Sequence, residues 1–169
     1  MSGLEIVIKF LYRIIKPVVN IVGSAGMVCL AAMMFLTAAD VFLRYSFNKP
    51  ILGVYELIQD MLAITVVVAL PYCELEKGHI AIDTVTLHLS RRARAIVNSI
   101  VGLLGLIVVS LITWQTCIYI TILRESQLFS TVLLVPVYPI LAIVAFGIAL
   151  FGVVLMLHFL EFVRDGIRK

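Results

Sequence analysis

The chain has 169 residues, of which 63% are hydrophobic and 14% charged, with a formal net charge of +3. A soluble domain of this size cannot bury so much apolar surface, because a small domain keeps a large share of its surface exposed. Disorder is excluded on the same ground, as is nucleic-acid binding as a main role, since the charge is small.

The first apolar run is Val18 to Ala39, 22 residues without a formal charge, preceded by Lys9, Arg13 and Lys16. At ~1.5 Å per residue it crosses a hydrocarbon core of ~30 Å. Thr37-Ala38-Ala39 faintly imitates a cleavage site. The run far exceeds a signal-peptide core, so a retained span over 18–39 is expected.

A polar stretch comes next: Asp40, Arg44, Lys49, Glu56 and Asp60. Asp40 and Arg44 are four apart and share a helical face. Glu56 and Asp60 are also four apart but carry like charges, which calls for an opposing cation such as Arg44 or a partner subunit. A clamp between helix ends, a subunit contact, ion transfer and a wet interfacial location all fit this pattern. A second span over 51–73 includes these acids near one end.

The connection from Glu74 to Asp83 contains a turn at Gly78. Ile82, Val85 and Leu89 then take helical spacing, ending in Arg91, Arg92 and Arg94. This predicts a short amphipathic helix over 80–92 in the interface, its arginines facing anionic headgroups. His79 and Asp83 are four apart and within hydrogen-bonding reach on a helix, but they lack a nucleophile, a pocket and a metal.

A third span is expected over 95–119. The loop after it holds Ser130 and Thr131, candidates to cap a turn, and Pro136 and Pro139, which suit the start of a helix. The fourth span is expected over 136–158. Gly23, Gly26, Gly102, Gly105, Gly147 and Gly152, with the pair Ala145 and Ala149, permit close helix contact. Backbone groups in lipid must be satisfied within the element, so the runs are helices and not strands. The expected fold is an all-α integral membrane protein: one four-helix domain, 1–169, with an interfacial helix between spans two and three.

Ten basic residues fall on one side of this arrangement: Lys9, Arg13, Lys16, Lys77, Arg91, Arg92, Arg94, Arg164, Arg168 and Lys169. Three fall on the other: Arg44, Lys49 and Arg124. The positive-inside rule puts both termini in the cytoplasm. Tyr45, Tyr55, Tyr119 and Tyr138 then lie near the outer interface, and Tyr12, Tyr72 and Phe162 near the inner one. Cys29, Cys73 and Cys117 read as small buried hydrophobes. No spacing fits a structural metal, and no catalytic residue or cofactor is expected.

The polar segments carry a resemblance. Asp40-Val-Phe-Leu-Arg44-Tyr45-Ser-Phe47-Asn-Lys-Pro50 and Gly53-Val-Tyr-Glu56 match the pattern D-V-x-x-R-Y-x-F-x-x-P followed by G-x-x-E. Leu70-Pro71-Tyr72, Gly78-His79-Ile80 with Asp83, and Ser130 through Pro136 with Tyr138 and Pro139 match its later elements. The sequence resembles the small, DctQ-like membrane subunit of tripartite ATP-independent periplasmic transporters.

The resemblance implies a scaffold role beside a separate, much larger membrane subunit that moves by an elevator-like motion and binds sodium and substrate. It also implies a soluble periplasmic binding protein that delivers an organic anion, a carboxylate or sulfonate, and a home in the bacterial or archaeal cytoplasmic membrane. Arg44, Tyr45, Glu56, His79 and Asp83 match family positions. A self-contained homo-oligomeric transporter or channel is the rival reading, and a membrane enzyme lacks the residues it would need.

Overall fold

The computed structural model describes residues 3–76 and 91–167. Four helices account for nearly all of them: α1 (Gly3–Phe47), α2 (Val54–Leu75), α3 (Arg91–Ser126) and α4 (Tyr138–Ile167). Each contains a stretch long and apolar enough to cross a membrane. Among the described residues there is no strand, only an isolated antiparallel bridge between Phe129 and Pro136. The expected interfacial helix, with His79 and Asp83, lies outside the described residues except where α3 opens at Arg91.

The 45 residues of α1 extend well beyond its apolar run. At ~1.5 Å per residue the helix is about 67 Å long, against a hydrocarbon core of ~30 Å. Pro17 sits inside it, where the basic segment meets the apolar one. Its missing N–H leaves one backbone carbonyl without the usual helical donor.

The helices form a row and not a closed bundle. α1 packs on α2, α2 on α4, and α4 on α3, while α1 touches α4 to a lesser extent. Among the described residues α3 therefore has α4 as its one substantial neighbour. Only 6% of its most apolar stretch is buried, against 22% in each of the other three. An open groove of about 720 Å³ runs between α3 and α4, lined by residues such as Val109, Trp114, Cys117, Gly152 and Met156.

The buried cluster lies near the chain termini, where Ile15 and Val19 of α1 meet Leu75 of α2 and Val154 and Leu157 of α4. In lipid this packing is not driven by escape from water. Close van der Waals fit holds the helices together, and small residues allow it. Gly147 is one such position. A Cβ there would lie 3.0 Å from the Val67 carbonyl oxygen and 3.0 Å from its Cγ2. Gly23 admits the Tyr72 ring in the same way, 2.8 Å from where a Cβ would stand. Outward-facing side chains are large and apolar, with Phe35 69% and Trp114 71% exposed, as a lipid solvent permits.

Candidate functional site

Of the polar residues singled out from the sequence, Asp40, Arg44, Glu56 and Ser130 gather at the end of the molecule that holds the α1–α2 turn and the α3–α4 loop. Asp40 is buried near the end of α1, 5% exposed. One carboxylate oxygen accepts from Arg44 Nη2 at 2.8 Å. The other accepts from the backbone N–H of Ile51 at 2.9 Å. One side chain thus holds both its own helical face and the returning chain. Between them Asn48 adopts a left-handed conformation, φ 51°, which asparagine tolerates. The Arg44 guanidinium also lies over the Tyr55 ring of α2, 5.6 Å from its centroid. This cation–π contact ties the two helix ends a second time. Tyr45, by contrast, points outward and is 89% exposed.

Glu56, in the first turn of α2, engages neither Arg44 nor Lys49. Its carboxylate accepts from the Ser130 hydroxyl and from the backbone N–H groups of Val132, at 3.1 Å, and Leu133, at 3.0 Å. Successive N–H groups in a turn make an anion-binding concavity. Here the chain's own carboxylate fills it.

The α3–α4 loop is itself a small hairpin. Ser130 N–H donates to the Val135 carbonyl at 2.9 Å, and Val137 N–H to the Leu128 carbonyl at 3.3 Å. Pro136 sits in the bridge opposite Phe129. Gly53 completes the junction. Its φ is +81°, and a Cβ there would lie 2.9 Å from Leu133 Cγ. Glycine serves both the left-handed turn and the close approach of the hairpin.

Asp60 lies one turn further along α2, half-buried, with no hydrogen-bond or ion-pair partner among the described residues. Arg44 does not reach it, since its ion pair is with Asp40. Arg91, Arg92 and Arg94 occupy the opening turns of α3 at the opposite end.

That opposite end holds a pair the sequence reading missed. His158 Nδ1 of α4 lies 2.8 Å from Glu74 Oε1 of α2, with both side chains largely buried. An Nδ1–H donates to the carboxylate. The signal available was two ionisable residues inside or beside apolar spans, which membrane helices seldom carry unpaired.

Among the described residues no group of three or more His, Cys, Asp or Glu side chains is placed to hold a metal ion. Cys29, Cys73 and Cys117 are free thiols; contrary to the expectation of burial, Cys29 is only half-buried and Cys73 and Cys117 are exposed. Asp40, Arg44, Glu56 and Ser130 bind to one another and to backbone. Chemically, this arrangement locks two connections to the helix ends.

Residues 33–165 match the family model of the tripartite ATP-independent periplasmic transporters, DctQ component. No curated protein and no solved structure matches the chain. The matched family is a transporter component, which is not an enzyme class. Since that match covers most of the sequence and enters all four helices, this multi-pass membrane protein belongs to the DctQ component family of tripartite ATP-independent periplasmic transporters.

Proposed function

We propose that the protein is the small scaffold subunit of a sodium-coupled, binding-protein-dependent uptake system for organic anions of the carboxylate or sulfonate class. It anchors and stabilises a separate, larger transport subunit in the cytoplasmic membrane and helps dock a soluble periplasmic binding protein. Sodium and substrate are bound mainly by the larger subunit. Both termini face the cytoplasm, a reading supported by the ten-to-three split of basic residues.

The observation that carries the scaffold reading is the open row of helices, ending in α3 with 6% of its span buried. A row of this kind offers long apolar flanks to a lateral partner. Support for docking comes from the α3–α4 hairpin, whose exposed Phe129 and Leu134 are held in place from beneath by Glu56. Asp40, Arg44 and Glu56 are held by partners within the chain at the α1–α2 turn and the α3–α4 hairpin, which favours scaffold over channel.

Affinity purification from membranes tests the reading. The expected result is a stable complex with one larger membrane chain, and sodium-dependent uptake by vesicles containing both chains and the binding protein. Full-rate uptake without this chain, or uptake by a symmetric homo-oligomer of this chain alone, overturns it.

A further inference from the structure

We infer that the exposed face of α1 near its N-terminus is a binding site for an anionic phospholipid. With 3.6 residues per turn, Lys9, Arg13, Lys16 and Asn20 fall within an arc of about 60°, centred about 130° from the Leu11–Ile15–Val19 face that packs on α2 and α4. The three cations therefore point away from the bundle. All three are exposed, and no carboxylate among the described residues pairs with them. Lys16 lies over the Tyr12 ring at 5.6 Å from its centroid, which fixes one cation against an aromatic suited to the headgroup layer. Together with Pro17 and Asn20 these residues line a shallow concavity of about 420 Å³.

The length of the stripe and the apolar surface beyond it identify the ligand as an amphiphile. Lys9 to Lys16 covers about 10 Å of helix axis, comparable with a headgroup layer. Further into the span the same side of the helix continues as Met27, Leu30 and Met34, which are 61%, 55% and 64% exposed. A phosphate at the cations and an acyl chain along these residues match the order of a phospholipid. A free phosphate would use only the first half of this surface. The inference does not depend on which side of the membrane this end faces, nor on the transport role.

Native mass spectrometry of the full chain, released from nanodiscs of phosphatidylglycerol and phosphatidylcholine, tests it. The wild type is expected to retain phosphatidylglycerol preferentially. The triple variant Lys9→Gln, Arg13→Gln, Lys16→Gln should lose about tenfold or more of that preference, since each basic residue near an anionic surface contributes. The charge-keeping triple Lys9→Arg, Arg13→Lys, Lys16→Arg should retain it, as should Lys49→Gln with Arg124→Gln. If the glutamine triple loses its helicity, Arg13→Gln alone is read instead, with a several-fold loss expected. An unchanged preference in the glutamine variant, an equal loss in either control, or displacement of the lipid by inorganic phosphate overturns the inference.

Discussion

The Ser130 hydroxyl donates to the Glu56 carboxylate across 74 residues of sequence. Ser130 belongs to the hairpin between α3 and α4, and Glu56 to the first turn of α2. With the N–H groups of Val132 and Leu133 on the same carboxylate, the hairpin is fastened to a helix that is not its neighbour in the chain.

Glu56→Gln and Ser130→Ala should therefore each expose the hairpin to protease, Glu56→Gln more strongly because it weakens three contacts. In the double variant the two effects should fall short of their sum, as expected for groups that share an interaction. Cleavage rates between residues 128 and 135 in detergent measure this. Fully additive rates in free-energy units would show that the two side chains act separately.

Arg44→Leu removes the ion-pair partner of a buried carboxylate and the cation over Tyr55, whereas exposed Lys49 has no comparable role. Arg44→Leu should lower the yield of folded chain and of assembled complex several-fold, and Lys49→Leu should leave both near wild type. Size-exclusion recovery from equal membrane fractions compares them. Equal recovery would remove Arg44 from the junction.

Gly147 and Gly105 should respond unequally to a larger side chain. Gly147 abuts the Val67 backbone, so Gly147→Leu should destabilise the isolated chain by about 1–3 kcal/mol through overpacking. Gly105 meets nothing within 4 Å, so Gly105→Leu should leave it unchanged within about 0.5 kcal/mol. Unfolding by SDS titration in mixed micelles gives both values. If Gly105→Leu also disrupts the complex with a larger membrane chain, α3 supplies part of the contact.

Single cysteines on a background lacking Cys29, Cys73 and Cys117 test the orientation. A cysteine at Thr131 should react with an impermeant thiol reagent added to intact cells. One at Lys9 should react only after the membrane is opened. The reverse pattern would invert the topology.

Some of this organisation is legible in the linear chain because the physics behind it is local. Each apolar run is solvated by lipid along its own length, so four spans can be inferred from run length and hydrocarbon thickness before any packing is known. Asp40 and Arg44 are four residues apart on one helix, and that spacing alone makes them neighbours. Gly53 and Glu56 stand out as residue types unusual for their surroundings.

Only the tertiary structure decided the order of the row, with α4 between α2 and α3, and the pairing of Glu56 with the hairpin and of Glu74 with His158. The physical reason is the uniformity of the helix surfaces. Where lipid and protein are almost equally apolar, the hydrophobic pattern does not mark which face turns inward. The choice falls to the fit of Gly147 on Val67, the space at Gly53 for Leu133, and the few polar groups that must find partners across the fold.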